Sequence, residues 1–491
     1  MEKIRVNEKR FVDSLGRERI FNGVNIVDKS DYTPGKQVYN GTYGHEVNDE
    51  LINELAEKGV NLIRLGFVWD KLEPKPGEYN DEYIDRLGEI IDLCEKHEIY
   101  VYLDMHQDLY SSTCNGDGAP EWATFTDGYK VRPIKFVWAE IYFWSKACHR
   151  AFDNFWDNRL IEGKGVQEYY ADCWRHIASR LGDKPAVIGF DLMNEPFPGT
   201  DGGKVFKTFV KEGIKTVLFS KKIKKSKMIK DLFSRDRVPK ILSQINYDVM
   251  RTVTSACDRY IYNFDINKYA PFLSKTASAV REKSEDGIFF MENSYYSNTG
   301  IPFSAPRISV NGKNESQQVF APHAYDLMVD TPAYKYASNE RVAGIFSEHK
   351  RSQDRLNMPV VVGDWGGFGG PGDDWLPHIA FLLDLFDTNK WSNTYWCYVP
   401  KFLESPLMKV FVRPYPKAVA GVITMYRYNR DSKEFSLFFE SENKKKQKSI
   451  IYVPDEPKSV TLDSKEIEPK ISGHELVIET TGGSHSLKIA F

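Results

Sequence analysis

Val187-Ile188-Gly189-Phe190-Asp191-Leu192-Met193-Asn194-Glu195-Pro196 is a mostly apolar run closed by two adjacent polar side chains and a proline. Strands of a parallel sheet are covered on both faces, so they read as near-continuous apolar runs, and this stretch predicts one from Val187 to Met193. Working outward, three similar runs precede it, near Phe21 to Val27, Leu62 to Phe67 and Tyr100 to Met105. Four follow, near Gly287 to Met291, Val319 to His323, Val360 to Gly363 and Thr394 to Tyr398. Amphipathic helical patterns lie between them, the clearest after Asn80-Asp81, where Ile84, Leu87, Ile91 and Cys94 recur at helical spacing. Eight strands with interleaved helices predict an α/β fold, a TIM (β/α)8 barrel, over residues 1–410.

From about Phe411 the period changes to two: Phe435, Leu437 and Phe439, then Ile450 and Tyr452, then Leu487, Ile489 and Phe491. That pattern, with turn signals at Asn429 to Asp431, Lys444 to Lys448 and Gly482-Gly483, predicts a C-terminal antiparallel β-sandwich over 411–491.

The 491 residues carry a net charge of −3 and are 41% hydrophobic and 27% charged, which excludes low-complexity disorder and a chain basic throughout, and with it a general nucleic-acid binder. The balance is uneven. Residues 204–240 hold 11 Lys and 2 Arg against three acids, so this segment carries +10 and the remainder −13. It lies in an insertion at about 200–277, far longer than the usual βα loop. Ile214, Val217 and Leu218 fit one helix there, and Met228, Ile229, Leu232 and Phe233 another. Basic amphipathic helices suit an anionic bilayer, so peripheral contact with a membrane surface through 204–240 is the expectation; a solvated hairpin and a protein-docking surface are the alternatives. Six cysteines without a C-x-x-C pair indicate neither a zinc site nor a disulfide scaffold. Met1 to Asp13 lacks the apolar stretch of a signal peptide, and no run approaches the ~18 residues of a membrane span. The expectation is a cytoplasmic protein, or a secreted one whose signal is missing from this chain.

In such barrels the reacting groups sit at the C-terminal ends of strands. The runs deliver Arg64 from the second, Asp104 and His106 from the third, Asn194 and Glu195 from the fourth, His323 and Tyr325 from the sixth, Asp364 from the seventh and Trp396 from the eighth. Two carboxylates on opposite walls, ringed by Asn, His and Tyr, are what glycoside hydrolysis requires: one protonates the leaving oxygen, the other attacks or stabilises the anomeric carbon. Their protonation must differ, and the expectation is a protonated Glu195 with Asp364 kept ionised by hydrogen bonds from Arg64 and Tyr325.

Asp191-Leu192-Met193-Asn194-Glu195-Pro196, Asp104-Met105-His106-Gln107-Asp108 and Pro322-His323-Ala324-Tyr325 resemble clan A glycoside hydrolases of family five, most closely endoglycoceramidases and related glycosylceramidases. Lys29-Ser30, the Asn115 to Thr124 block, the Arg150 to Trp156 block and the Arg413 to Gly421 block extend the resemblance over nearly the whole chain. It implies Glu195 as acid/base and Asn194 as ligand of the sugar 2-hydroxyl. Tyr325 and Arg64 would orient the nucleophile, His106 and His323 would line the subsite of the attacked sugar, and Trp396 would form its floor. Lys29, Gln107 and Asp108 would contact sugar hydroxyls, and Asp104 and Trp365 would complete the binding set. The resemblance implies a retaining mechanism through a covalent glycosyl-enzyme, with neither metal nor organic cofactor.

One position departs from the family. Its nucleophile is Glu, whereas this chain reads Val362-Gly363-Asp364-Trp365-Gly366-Gly367, one methylene shorter. A retaining pair wants its carboxyl groups about 5 to 5.5 Å apart, so the retreat matters. Position 364 admits three readings: a native or compensated Asp nucleophile, an introduced Glu-to-Asp change that attenuates the enzyme, or a changed or lost activity that leaves a glycolipid-binding protein. The leading expectation is a β-glycosidase cutting between glucose or an oligosaccharide and ceramide. The alternative within the enzyme class is another β-glucoside, such as a steryl or aryl glycoside or a β-glucan. Trp138, Trp144, Trp365, Phe368 and Trp375 are candidates for the walls of a cleft or an aglycone channel.

Overall fold

In the computed structural model, residues 1–27, 47–131, 133, 138–219, 226, 230, 231, 234, 240, 241, 243–329, 334–367 and 372–491 are described. Eight parallel strands form one sheet: β1 (Asn22–Val27), β2 (Leu62–Val68), β3 (Tyr100–His106), β4 (Val187–Asp191), β5 (Ile288–Met291), β6 (Gln318–Phe320), β7 (Val361–Trp365) and β8 (Ser392–Tyr395). Their order, β6-β5-β4-β3-β2-β1-β8-β7, is closed by isolated parallel bridges from Phe320 to Val360 and from His323 to Asp364. The result is the expected barrel.

Helices cover its outside: α1 (Asp49–Glu57), α2 (Asp81–Lys96), α3 (Lys146–Trp156), α4 (Val166–Leu181), α5 (Thr200–Phe219), α6 (Ala270–Arg281), α7 (Asn339–Leu356) and α8 (Leu376–Asn389), among shorter ones. The signal read at Asn80 is a cap: its side chain accepts the Tyr83 N–H and supplies a partner for one of the orphan donors of the first turn of α2. The expected helix through Ile214, Val217 and Leu218 is α5. The one expected around Met228, Ile229, Leu232 and Phe233 lies outside the described residues.

Two strand ends differ from expectation. Strand β4 stops at Asp191 rather than Met193, where the chain turns across the mouth so that the Asn194 N–H reaches the Met105 carbonyl. Strand β6 stops at Phe320, leaving His323 in a single bridge.

The C-terminal strands form two antiparallel sheets, as expected, but one of them is not built from the C-terminus alone. The N-terminal strands Ile4–Asn7, Arg10–Asp13 and Glu18–Arg19 join it, Arg19 pairing with Ala418 and Glu18 with Val419. The first twenty residues, assigned from sequence to the barrel segment, thus extend the sandwich. Strand pairing between segments 400 residues apart leaves no local trace in the sequence.

Candidate active site

Alternate residues of each barrel strand point inward. On β2 the inward position beyond Leu62 is Arg64, fully buried, and its guanidinium gathers the strand ends around it. Nε donates to Asp191 Oδ2 at 3.0 Å, Nη1 to Asn25 Oδ1 at 3.2 Å, and Nη2 to Asn194 Oδ1 at 3.0 Å and Glu292 Oε1 at 2.5 Å. Asp104 Oδ1 is 3.0 Å from Nη2. The carboxylates of Asp104, Asp191 and Glu292 converge within 4.8 Å of one another, and the cation between them is this guanidinium. Arg64 therefore orients Asn194 and the acid/base side. Its influence on Asp364 is a field effect, not the hydrogen bond expected from sequence.

Glu195 sits just past β4 with φ +41°, a left-handed conformation that costs a residue bearing a β-carbon about 1 to 3 kcal/mol. The strain is held by hydrogen bonds: its N–H goes to Glu292 Oε2 at 2.6 Å, and its carbonyl, with that of Asn194, accepts from Gln107 Nε2. Gln107 Oε1 takes the Tyr110 N–H. Both ends of Gln107 thus serve backbone, and it ties the loop after β3 to Glu195 rather than facing sugar. The Glu195 carboxylate accepts from Asn298 Nδ2 at 2.6 Å and lies 3.2 Å from His323 Nδ1. Asn194 is pinned by Arg64 and by its own bond to the Gln107 carbonyl, which leaves the second amide hydrogen for a ligand.

Asp364 reaches the same imidazole from the opposite wall, with Oδ2 at 3.9 Å from His323 Nδ1, while Oδ1 accepts from the Tyr325 hydroxyl. Its aim depends on an irregularity. Ladder pairing of β7 with β8 shifts between Val362 and Trp365, a bulge that reverses side-chain parity. Gly363 and Asp364 both serve the interior, and Trp365 is turned outward. Trp365 is fully buried, its indole N–H bonded to Asn393 and its ring edge-on to Phe386 and Tyr395, so it packs between sheet and helices and does not bind substrate as expected. A β-carbon at Gly363 would stand 3.0 Å from His323 Nε2, so the glycine makes room for the imidazole.

His323 is expected from sequence to line the sugar subsite. It is instead buried between three carboxylates, with Glu292 Oε1 3.2 Å from Nε2. Burial opposes its protonation, but Glu292, Glu195 and Asp364 hold the imidazole well above its ordinary range, as a cation. Behind it, burial pushes His349 down to about 3, so that ring is neutral, with Nε2 3.2 Å from the His323 carbonyl. Burial pushes Asp364 up to about 7, with Glu195 adding to the rise and His323 and Arg64 opposing it. This reverses the sequence expectation of a firmly ionised Asp364, because among the described residues Tyr325 alone donates to its carboxylate and burial outweighs the cations. Deeper still, burial and the neighbouring Glu292 raise Asp191 well above the carboxylate range, while Glu292, despite burial, is held low by His323 and Arg64.

The remaining wall carries His106, whose Nδ1 lies 2.8 Å from Asp104 and whose ring stacks on Trp396 at 5.3 Å. Asp108 Oδ2 is 3.6 Å from His106 Nε2, and Asp117 completes a polar cluster with them that could hold a cation or sugar hydroxyls. Lys29 and Phe368 lie outside the described residues. Of the remaining aromatic candidates, Trp138 and Trp144 are exposed and Trp375 is buried. Glu292 is absent from the sequence expectations, although Met291-Glu292-Asn293 follows the fifth strand as Asn194-Glu195 follows the fourth, the same signal as at the other strand ends.

Residues 27–226 match the family model described as Cellulase (glycosyl hydrolase family 5), and residues 413–489 the glycoside hydrolase family 5 C-terminal domain, together more than half of the chain. The chain belongs to glycoside hydrolase family 5. Among its relatives, an endoglycoceramidase of Cyanea nozakii is 35% identical over 213 residues, 39% of this chain and 41% of that protein. A glucosylceramidase of Rhizopus delemar is 28% identical over 240 residues, covering 39% and 35%. The chain thus spans about two-fifths of the length of the curated relatives it matches. The fold is that of endo-glycoceramidase II from Rhodococcus sp., with a TM-score of 0.73 at 22% identity over 99% of both chains.

Proposed function

We propose that this family 5 chain is a retaining β-glycosidase that hydrolyses the bond between glucose or an oligosaccharide and ceramide. One observation carries the chemistry: Glu195 and Asp364, from opposite walls, both reach His323 Nδ1, at 3.2 and 3.9 Å. Their oxygens can be no further apart than those two distances laid end to end, which excludes the wider part of the ~6.5–9.5 Å spacing of inverting enzymes. Asp364, oriented by Tyr325, attacks the anomeric carbon while Glu195 gives its proton to the departing ceramide oxygen. Glu195 then takes a proton from the water that releases the sugar from Asp364. His106, Asp108, Asn194 and Trp396 are the proposed sugar contacts.

The amphiphilic aglycone is supported by the surface beside Glu195. Helix α5 begins five residues beyond it and exposes Val210, Ile214 and Leu218 at successive turns, with Lys207, Lys211 and Lys215 alongside. Phe206 of α5 stacks on Phe143 and meets exposed Trp144 edge-on. Among the described residues no helix is long and apolar enough to cross a membrane, so this face would lie flat on an anionic bilayer, the basic 204–240 segment adding attraction.

The decisive assay compares the chain with Glu195→Gln and Asp364→Glu on glucosylceramide, lactosylceramide, a steryl glucoside and an aryl β-glucoside. Glu195→Gln should lower kcat about 100-fold or more on natural lipid, and Asp364→Glu should shift kcat by about tenfold or more. Failure of both the native chain and Asp364→Glu on every substrate would end the hydrolase reading; preference for the steryl glucoside would move the aglycone to a sterol. Ile214→Glu with Leu218→Glu should spare aryl β-glucoside turnover and reduce sedimentation with anionic vesicles. Unchanged sedimentation would remove the membrane contact.

A further inference from the structure

Glu292 stands one residue beyond β5, fully buried, and touches three parts of the site at once. Oε2 accepts the Glu195 N–H, Oε1 accepts from Arg64, and Oε1 also lies 3.2 Å from His323 Nε2. Through His323 the line continues, since Nδ1 faces Glu195 and Asp364 together. The titratable groups facing Glu292 are Arg64 of β2, Asp104 of β3, Asp191 at the end of β4, Glu195 beyond it, His323 after β6 and Tyr269, whose hydroxyl donates to the Glu292 carbonyl at 3.3 Å. His323 also faces Asp364 of β7 and, through its carbonyl, His349 of α7. In this set the carboxylate on His323 Nε2 is Glu292 alone.

We propose that Glu292 is a positioning residue for the hydrolytic pair: it keeps His323 as an imidazolium wedged between Glu195 and Asp364, and it anchors the backbone of Glu195 in its left-handed conformation. The inference rests on the reading of Glu195 and Asp364 given above. It does not place Glu292 in contact with substrate. The imidazolium lies 3.9 Å from Asp364 Oδ2 and favours the ionised form of that carboxyl, the form that attacks. An uncharged side chain at 292 leaves His323 beside Arg64 with no anion on Nε2, so the imidazole becomes neutral at a lower pH and Asp364 loses its nearest cation.

The test is Glu292→Gln, which keeps the shape and an acceptor for the Glu195 N–H but removes the charge, with Glu292→Asp as the conservative variant. On an aryl β-glucoside the acidic limb of kcat/KM should move up by about one pH unit or more in Glu292→Gln, with at least a tenfold loss at pH 6, and should move back in Glu292→Asp. A loss of rate equal at every pH would overturn the proposal, because that is what a purely structural role produces. The second measurement needs no turnover. In 15N-histidine NMR of the unsubstituted protein, with the His323 signals assigned by their loss in His323→Gln, both ring nitrogens should carry protons from pH 6 to 8. A neutral His323 in that range would overturn the proposal even where Glu292→Gln fails to fold, and it would do so independently of whether any glycoside is cleaved.

Discussion

Near the N-terminal end of the barrel, Tyr102 and Phe290 stack with ring centroids 4.0 Å apart, and Leu62, Ala321 and Val361 are buried in the same cluster. Two residues further along the same five strands stand Asp104, Glu292, Arg64, His323 and Gly363. One layer is apolar and satisfied by contact; the next, Gly363 apart, is charged and satisfied by close polar partners, among its own members and in Asp191, Asn194, Glu195 and His106. Both are buried, so the difference is not one of exposure. The lower layer gains stability from removing hydrocarbon from water, whereas the upper layer must offset the cost of removing ions from water with close partners. Burial therefore stabilises the protein in one layer and tunes protonation in the other.

The contrast can be broken in three places. Phe290→Ala should remove about 3 to 5 kcal/mol of stability by the rule for large buried aromatics, read by urea unfolding, with kcat per folded molecule within about twofold of the parent. A fall in kcat comparable to that of Glu195→Gln would mean that the layers are not separable. Asp364→Asn should do the reverse, abolishing turnover while stabilising the fold. The folded carboxyl, pushed up to about 7 by burial, stays protonated while the unfolded one ionises above its ordinary 3.8. Asp364 therefore erodes stability as pH rises from about 4 to 7, by up to about 4 kcal/mol. The Tm gain of Asp364→Asn should grow across that window and level off above it; a gain independent of pH would refute the assignment. The same titration predicts that kcat/KM rises with pH through about 7, as the nucleophile ionises. Gly363→Ala should have the smallest effect on stability, about 1 kcal/mol from overpacking against His323, yet lower kcat about tenfold by displacing the imidazole. Unchanged kcat would show that the ring has room to move.

Much of this was legible in the sequence, and the rest was hidden for identifiable reasons. The eight apolar runs and the polar residues closing them are local patterns, and they located the barrel, Glu195, Asp364, His323 and Tyr325. The outward turn of Trp365 was not legible, because it follows from a bulge in ladder pairing that composition does not encode. Gln107 and Asn194 carry the right chemistry for sugar contacts, and only the fold reveals that both ends of Gln107 are engaged by backbone. The position of Glu292 after the fifth run is legible without a structure, as that of Glu195 is after the fourth. Its role did require one, since nothing in Met291-Glu292-Asn293 says that its carboxylate lies under a histidine thirty-one residues later.

The pairing of Arg19 with Ala418 has a consequence for biosynthesis. During translation at about 5 to 20 residues per second, the N-terminal strands emerge from the ribosome about 20 to 80 s before the strand that pairs with Glu18–Arg19. Through that interval the Glu18–Arg19 edge is an unpaired template, short and carrying a charged pair, the features that protect exposed edges from foreign strands. The strand Tyr415–Val419 therefore secures strands synthesised well before it, and the Ile4–Arg19 and Tyr415–Thr480 segments share one sheet.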